Sequence, residues 1–380
     1  MKILLLCYEY PPVGGGGGRV AAQVAAKLAL RGHQIRVVTA GMDHLPRREV
    51  RDRVEILRPR SFRRREDTCT VPEMGLYVAT NLLPVLREAR RWHPDVIHAH
   101  FAVPTGPVAL ATRLLTGVPY VLTAHLGDVP GGVPEQTDHL FRRLGPFLGP
   151  VWRKAQAVTA VSRFVADLAT KAYGVHPMVI HNGIQPVAFA GLEIHSPCRI
   201  VMAGRLSIQK NPLLALAALA LIKETDWSLD VIGDGPLRVE METVALRLGI
   251  AGRVHLHGWL AESDVAQTMA RSDLLLMTSL HEGLPMVAIE ALQRGLAIVG
   301  SQIGGMRDVV DEGRNGFLCE LTATGFADKL KRLVTTPTLL EQMRRASREK
   351  AAEFDLEKIV SAYEGVLQQS SVRAGGRSGL

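Results

Sequence analysis

The chain has 380 residues, of which 47% are hydrophobic and 22% charged, and this composition and length indicate a globular protein of two domains. Four cysteines lie far apart without a Cys-x-x-Cys pair, which argues against a disulfide framework or a zinc knuckle, and no apolar run reaches the roughly 18 residues of a membrane-spanning helix. The net charge of +8 is confined to residues 1–190, with 24 Lys and Arg against 14 Asp and Glu, so the first half is expected to meet an anionic partner.

Short apolar runs alternate with helical patterns throughout the chain. The predicted strands of the first half are "KILLLC" (2–7), "QIRVVTA" (34–40), "DVIHAHF" (95–101), "PYVLTAH" (119–125) and "AVTAVS" (157–162). Those of the second half are "CRIVMAG" (198–204), "WSLDVIG" (227–233), "RVHLHG" (253–258), "DLLLMTS" (273–279) and "LAIVGS" (296–301). Two such series predict an α/β protein of two tandem Rossmann-like, doubly wound domains, each binding at the carboxyl ends of its strands, with a cleft between the domains.

The periodicity lapses in "VIHNGIQPVAFAGLEIHSP" (179–197), which places the domain boundary there. We predict an N-terminal domain over 1–183, a linker over 184–197 and a C-terminal domain over 198–354. A helix over 355–370 is expected to pack back on the N-terminal domain, and the tail 371–380 to be disordered. The opening apolar run is too short for a signal peptide, because Glu9 follows at once, so we expect a cytoplasmic protein.

Five consecutive glycines in "PPVGGGGGRV" (11–20) join the first strand to the first helix, whose pattern covers 19–32. Backbone N–H groups in such a run can approach an anion closely. The run is neither a Walker motif nor a GxGxxG with a partner acid, and a flexible loop is the alternative reading.

Histidines end two first-half strands. "TAHLGD" (123–128) brings His125 and Asp128 to a strand's carboxyl end, and "HPDVIHAH" (93–100) puts His98 and His100 on one strand face. A three-histidine zinc site is the weaker alternative to histidines that satisfy local backbone groups.

The segment "SLHEGLPMVAIEALQRG" (279–295) keeps Glu282 and Glu290 among apolar positions. Pro285 suits the first turn of a helix, whose free N–H groups and dipole favour a phosphate. Carboxylates only accept hydrogen bonds and sugar hydroxyls donate them, so a nucleotide sugar fits: hexose at one glutamate, ribose at the other, diphosphate between. The alternative is an exposed Glu282 and a solvated Glu290.

The diphosphate needs cations, and "MAGRLSIQKN" (202–211) supplies Arg205 and Lys210 at the carboxyl end of a strand. Taken alone, an Arg and a Lys in a loop are usually solvated.

Together these motifs resemble the retaining glycosyltransferases of family 4, which have the GT-B fold. The resemblance covers about residues 1–370. It rests on "YEYPPVGGGGG", "HPDVIHAH", "TAHLGD", "AVS" (160–162), "VIHNGI", "MAGRLSIQKN", "VIGDGPLR" (231–238), the E-x7-E segment and "GSQIGGMRDVVDEGRNGFL" (300–318).

The resemblance implies a role for each candidate residue. Glu290 would hold the ribose, Arg205 and Lys210 would stabilise the departing diphosphate, and His125 would lie at the reacting face. Glu282 would hold the donor hexose together with the amides that follow it, and the segment of Gly283, Leu284 and Pro285 would line the donor site. Three glycines, Gly15, Gly16 and Gly17, would close over the phosphates.

The family also implies retention. A double displacement needs a carboxylate nucleophile, and Glu282 is assigned to hydroxyls, so we expect front-face substitution in which the leaving phosphate takes the acceptor's proton. No DxD motif is present, so we expect neither a metal nor another cofactor beyond a UDP- or GDP-linked sugar as substrate.

The acceptor is expected at the first domain, where two stretches are rich in arginine. They are 57–65, with Arg63, Arg64 and Arg65, and 85–93, with Arg87, Arg90, Arg91 and Trp92. Such clusters suit an anionic membrane surface, so a lipid-linked or oligosaccharide acceptor of cell-envelope or exopolysaccharide synthesis is expected, at the inner face of the membrane. A solvated basic face is the alternative, and nucleic acid is not expected, because stacking aromatics are not interleaved.

Other functions fit less well. An NAD-dependent oxidoreductase lacks its GxGxxG and ribose-binding acid, and an epimerase lacks assignable catalytic carboxylates. A sugar-nucleotide sensor and a glycosyltransferase with a small soluble acceptor stay open.

Overall fold

The chain forms two compact units, seen in a computed structural model that describes residues 1–66, 68–187 and 191–375. The first unit comprises Met1–Gly183 together with the chain from Leu356 onward, and the second comprises Ile184–Asp355. Each unit has one sheet flanked by helices. Among the described residues, no helix is both long and apolar enough to cross a membrane.

An eight-stranded sheet forms the centre of the first unit. Its strands are β1 (Lys2–Cys7), β2 (Gln34–Val38), β3 (Arg48–Arg51), β4 (Val54–Leu57), β5 (Val96–His100), β6 (Tyr120–Ala124), β7 (Ala157–Ala160) and β8 (Met178–Val179). They lie in the order β3-β4-β2-β1-β5-β6-β7-β8, and all pairs are parallel except β3 with β4 at one edge. Strands β5 and β6 are buried along their whole length, as parallel strands covered on both faces are.

Five helices of the first unit connect these strands: α1 (Gly16–Leu30), α2 (Val71–Trp92), α3 (Thr105–Thr116), α4 (Pro134–Arg153) and α5 (Arg163–Tyr173). The chain steps from β1 to β2 in one direction and from β4 to β5, β6 and β7 in the other. Right-handed crossovers therefore put α1 on one face and α2, α3 and α4 side by side on the other. Each of these three helices returns to the amino edge of the sheet, so their C-terminal ends lie at that edge.

A six-stranded parallel sheet forms the second unit. Its strands are β9 (Cys198–Ala203), β10 (Trp227–Ile232), β11 (Val254–Gly258), β12 (Leu274–Met277), β13 (Ala297–Ser301) and β14 (Gly316–Cys319). Its helices are α6 (Pro212–Ala220), α7 (Arg238–Arg247), α8 (Glu262–Ala270), α9 (Met286–Gln293), α10 (Met306–Val309), α11 (Ala323–Val334) and α12 (Pro337–Ala351). The order β11-β10-β9-β12-β13-β14 reverses direction between β9 and β12, which makes the carboxyl ends of these two strands the topological switch point.

The last helix, α13 (Leu356–Gly375), belongs to the first unit. Its Tyr363 is fully buried, with the ring centroid 5.2 Å from that of His98. At the surface, Glu357 pairs with Lys27 of α1 at 2.7 Å, and Glu364 pairs with Arg31 at 2.8 Å. The helix continues past residue 370: residues 371–375, predicted as disordered tail, are helical because no Gly or Pro lies between Gly365 and Gly375. Residues 376–380 lie outside the described residues.

The segment predicted as a linker, 184–197, is assigned to the second unit, and its described residues are tied there by a buried ion pair. Arg344 of α12 lies 2.6 Å from Asp273, and both side chains are buried. Arg344 also donates to the carbonyl oxygen of Glu193, and His195 Nδ1 lies 3.0 Å from the same carboxylate. Loss of sequence periodicity therefore marked an irregular segment that is anchored by side chains from elsewhere.

Four strands were not predicted from the sequence, and each omission has a physical reason. Strands β3 and β4 lie at the sheet edge, where charged residues interrupt the apolar pattern, and β8 has only two residues. Strand β14 has only four residues, "GFLC", after a turn that contains Gly313.

Candidate active site

The loops after β9 and β12 lie side by side at the switch point of the second unit. The backbone N–H of Leu280 donates to the carbonyl oxygen of Gln209 at 2.8 Å, and the Gln209 side chain donates to the carbonyl oxygen of His281 at 3.1 Å. The Thr278 hydroxyl donates to the carbonyl oxygens of Lys210 and Asn211. These bonds bring the segments that hold Lys210 and Glu282 together, although 72 positions separate them in the chain.

Lys210 and Glu282 form the polar centre of this site. Lys210 Nζ lies 2.6 Å from Glu282 Oε1, with side-chain exposures of 27% and 9%. A buried carboxylate needs a partner, and this one has an ammonium that is still reachable by a ligand. Gly204 precedes the loop with a φ of 143°, a backbone conformation that favours glycine, and a Cβ there would touch Lys210 Cε at 3.4 Å. Arg205 follows in the same loop and is half-buried.

Gly283, Leu284 and Pro285 lead from this pair into α9. The sequence placed Pro285 in the first turn; it is the N-cap instead, with extended backbone angles, so the free N–H groups of the helix begin at Met286. The amide of Gly305 donates to the carbonyl oxygen of Glu282 at 3.0 Å, and a Cβ at 305 would overlap the carbonyl oxygen of Gly283. Gly305 was not predicted from the sequence; its signal is the Gly-Gly pair that begins three positions after the end of β13.

Glu290 lies on α9, roughly 6 Å along the axis from Met286 at the standard helical rise. It is half-buried, and its carbonyl oxygen accepts from Arg294 at 2.9 Å. Burial lowers the pKa of Arg294, while the negative charge of Glu290 opposes that shift. Its role as the ribose ligand stays a prediction.

The glycine run of the first unit wraps an acid that the sequence analysis did not single out. Gly15 is the N-cap of α1, and Gly16 and Gly17 form its first turn, so the helix begins three residues before its predicted start. The Gly15 amide donates to Glu9 Oε2 at 3.1 Å, and a Cβ at Gly18 would overlap the Glu9 carbonyl. The carboxylate thus takes the position that an anion would occupy at Gly15.

His125 lies beside the same run. A Cβ at Gly17 would lie 2.7 Å from Phe101 Cζ and 3.2 Å from His125 Cε1, so only glycine fits there. Phe101 stacks on His125 with ring centroids 4.2 Å apart. Burial lowers the pKa of His125 to about 3, so the imidazole is neutral and can donate and accept hydrogen bonds.

His98 and His100 are buried next to His125, and the three side chains together are called the histidine ladder. His100 Nδ1 lies 3.4 Å from His125 Nε2, and His98 Nε2 lies 2.8 Å from the hydroxyl of Thr123. Burial lowers the pKa of His98 to about 3 and that of His100 as well. Within residues 1–66, 68–187 and 191–375, no group of three or more His, Cys, Asp or Glu side chains is arranged to hold a metal ion.

Asp128 supports the loop that carries His125. Its carboxylate accepts from the amide of His125 at 2.7 Å and from that of Val103 at 3.2 Å. Burial raises the pKa of Asp128 to about 7 against the opposing effect of these bonds. The carboxylate therefore fixes the backbone of the histidine loop.

The arginines predicted to form a membrane-binding surface do not lie together. Arg63 is buried: its Nε donates to the carbonyl oxygen of Arg65, and its guanidinium lies over the ring of Tyr8, so its predicted membrane contact is wrong. Trp92 lies under Arg36 at 4.7 Å. Arg64 and Arg65 are exposed before α2, whereas Arg87, Arg90 and Arg91 are exposed near its C-terminus, roughly 30 Å away at the helical rise for 22 residues.

Known families match both units. Residues 14–187 match the model of Glycosyltransferase Family 4, and residues 188–350 match that of glycosyl transferases group 1. The chain belongs to glycosyltransferase family 4. The enzyme is therefore a glycosyltransferase, and the family predicted from its motifs is confirmed.

Relatives of this family 4 glycosyltransferase align along nearly its whole length. It is 27% identical to N-acetyl-alpha-D-glucosaminyl L-malate synthase of Bacillus anthracis, with 96% of each chain covered. Sucrose-phosphate synthase from Thermosynechococcus elongatus superimposes with a TM-score of 0.84 at 19% identity, covering 97% of this chain and 98% of that one. Anabaena HepE in complex with UDP and glucose gives 0.76 at 22% identity, covering 97% and 100%. The predicted GT-B fold class is confirmed.

Proposed function

We propose that this glycosyltransferase moves a hexose-type sugar from a UDP- or GDP-linked donor to a glycan or lipid-linked acceptor, with retention at the anomeric carbon. The observation that carries the proposal is the Lys210–Glu282 pair at the switch point, 2.6 Å apart. It offers a cation for a diphosphate and an acceptor for sugar hydroxyls at one place. The solved complex of Anabaena HepE with UDP and glucose supports a donor of this class.

The proposed reaction is a front-face substitution. The acceptor oxygen bonds to the anomeric carbon while the bond from that carbon to the phosphate oxygen breaks. The leaving phosphate oxygen takes the acceptor's proton, and the nucleoside diphosphate departs. Lys210 and Arg205 stabilise the negative charge that develops on the diphosphate, an electrostatic contribution that needs no carboxylate nucleophile.

The remaining candidates bind or position the donor. Glu282 and the backbone N–H groups of Gly283 and Leu284 hold the hexose, with Pro285 shaping the turn, and Glu290 holds the ribose. His125, neutral and stacked on Phe101, donates or accepts a hydrogen bond at the reacting sugar. No divalent ion is required, because the charge of the diphosphate is met by Lys210, Arg205 and the helix N-terminus.

Two classes of acceptor are proposed. A lipid-linked or oligosaccharide acceptor fits the basic first unit, at the inner face of a membrane and in cell-envelope or exopolysaccharide synthesis. A small soluble acceptor is the second candidate, because the relative from Bacillus anthracis is named for a product that joins its sugar to malate, a small soluble acid.

A donor panel tests the proposal. UDP- and GDP-sugars are incubated with the protein in EDTA, and release of nucleoside diphosphate is followed with and without lipid-linked and soluble acceptors. We expect slow hydrolysis of one donor alone, faster release with one acceptor, and a product with the donor's anomeric configuration by NMR. Release only after Mg²⁺ is restored would refute the metal-free assignment, and an inverted product would refute retention.

A further inference from the structure

An apolar groove of about 310 Å³ lies on the surface of the first unit between α3 and α4. Leu110 and Leu114 of α3 face Phe147 and Val151 of α4 across it. Leu114 and Phe147, at its rim, are 69% and 76% exposed. Large apolar side chains grouped in water beside an open apolar groove mark an interaction surface.

The two sequence segments that supply the groove lining carry cations but no acids. Residues 105–118 and 139–156 contain five Lys and Arg and no Asp or Glu. Arg113 donates to the carbonyl oxygen of Lys154, which joins the C-terminal ends of α3 and α4 beside the groove. Arg153 and Lys154 are exposed at that end.

The neighbouring helix α2 contributes exposed arginines and an exposed leucine to the same edge of the sheet. Its C-terminal end lies at the amino edge of the sheet with those of α3 and α4, and Arg87, Arg90 and Arg91 are exposed there. Leu83, one turn earlier, is 61% exposed. An exposed large apolar side chain followed by exposed cations is therefore found on α2 (Leu83 and Arg87) and again on α4 (Phe147 and Arg153).

We propose that this edge of the first unit docks on an anionic lipid bilayer. Leu114 and Phe147 enter the boundary of the acyl chains, while Arg153, Lys154 and the α2 arginines meet headgroup phosphates. A bilayer supplies apolar chains beside anionic phosphates over a broad area, which matches both features. The inference deepens the proposed function and rests on it only where it brings the enzyme to a lipid-linked acceptor.

Vesicle flotation tests the docking edge. Full-length protein is mixed with phosphatidylglycerol-containing or pure phosphatidylcholine vesicles at low and high salt. We compare wild type with Leu114→Ser/Phe147→Ser, with Arg153→Ser/Lys154→Ser, and with a matched control on α7 of the second unit, Val239→Ser/Leu246→Ser, whose residues are 71% and 70% exposed. Donor hydrolysis and thermal melting are measured on each protein.

We expect wild type to bind anionic vesicles. Leu114→Ser/Phe147→Ser, the apolar variant, should bind at least tenfold more weakly at either salt concentration. Arg153→Ser/Lys154→Ser, the charge variant, should bind roughly tenfold more weakly at low salt only. The α7 control binds like wild type, and all variants keep donor hydrolysis and melting temperature. Absent binding, equal binding to neutral vesicles, or equal binding by the apolar variant overturns the inference. A dimer of wild type that the apolar variant loses, seen by sedimentation, would make the groove a self-association surface instead. Vesicle binding without donor hydrolysis would overturn the proposed function alone.

Discussion

At the residue scale, Lys210 and Glu282 hold each other in place. The carboxylate is nearly buried, so an ammonium 2.6 Å away offsets part of the cost of removing it from water. A donor that binds there would substitute a phosphate for the carboxylate at Lys210 and a hydroxyl for the ammonium at Glu282. The site is thus formed by two charges that the proposed donor would separate.

Lys210→Ala tests this arrangement. We expect turnover to fall by about 10²–10³-fold, the usual effect of losing one group that stabilises developing negative charge. The matched control is Lys331→Ala, which breaks an ion pair of 2.9 Å in the same unit whose side chains are both 55% exposed. Turnover within twofold of wild type for Lys210→Ala would remove Lys210 from the reaction.

Glu290→Ala addresses the ribose. Loss of hydrogen bonds to a charged acceptor is expected to weaken binding of the free nucleoside diphosphate by about 1.5–3 kcal/mol while the protein stays folded. Isothermal titration gives the affinity, and Glu240→Ala, an exposed glutamate of α7, is the control. Unchanged affinity for the nucleoside diphosphate would contradict the assignment.

At the scale of elements, loops that follow adjacent strands pack closely on each other at positions occupied by glycine. The turn after β13 packs on the backbone that follows Glu282, and this requires a residue without a side chain at 305. In the first unit, Gly18 is held against the backbone of Glu9 in the same way, and Gly14 lies against the Glu9 side chain. Close backbone approach, rather than flexibility, explains these glycines.

Gly305→Ala separates the two explanations. A methyl group at 305 overlaps the carbonyl of Gly283, so we expect a loss of stability of about 1–3 kcal/mol together with weaker donor binding. Gly252→Ala is the control, since nothing lies within 4 Å of a Cβ there. Chemical denaturation and donor titration measure both effects, and a Gly305→Ala protein as stable as the control would contradict the packing argument.

At the scale of the whole molecule, the first unit is completed by the end of the chain. Tyr363 of α13 packs against His98 and His100, so the histidine ladder is covered by a helix that follows the second unit in sequence. The neutral state of these histidines depends on that cover, because burial is the largest cause of their lowered pKa values.

This burial predicts a pH dependence of stability. The folded pKa of His98, about 3, lies below the unfolded value, so as pH falls through the unfolded pKa near 6.5 the unfolded state takes up a proton that the folded state refuses. The wild type should lose stability relative to His98→Gln on acidification, by about 2 kcal/mol between pH 7.5 and 5.0 at 1.36 kcal/mol per pKa unit. Asp128 has the opposite sign but is present in both proteins and cancels.

Urea unfolding of both proteins at the two pH values measures the difference. His176→Gln, at an exposed histidine of the first unit, is the control for the exchange of histidine for glutamine. A gap between wild type and His98→Gln that does not change with pH would show that His98 is not held neutral by burial.

The sequence by itself determined the class of the fold and the neighbourhood of the site. Buried parallel strands are continuous apolar runs, so ten of them were visible, and the polar residues after each run had to lie at the carboxyl edge of a sheet. That was enough to select Lys210, Glu282 and His125. The apolar pattern is local, however: it indicates whether a residue is buried, but not which residues it packs against.

Only the tertiary structure decided the partners. The pairing of Lys210 with Glu282 depends on β9 and β12 being neighbours, which strand order sets and the chain order hides. The carboxylate of Glu9 inside the glycine run and the burial of Arg63 likewise come from segments that meet in space. The arginines near the two ends of α2 are close in sequence, yet a helix of 22 residues holds them apart. Periodicity is fixed by bonded geometry within one element, whereas charge pairing and surface continuity arise from contacts between elements.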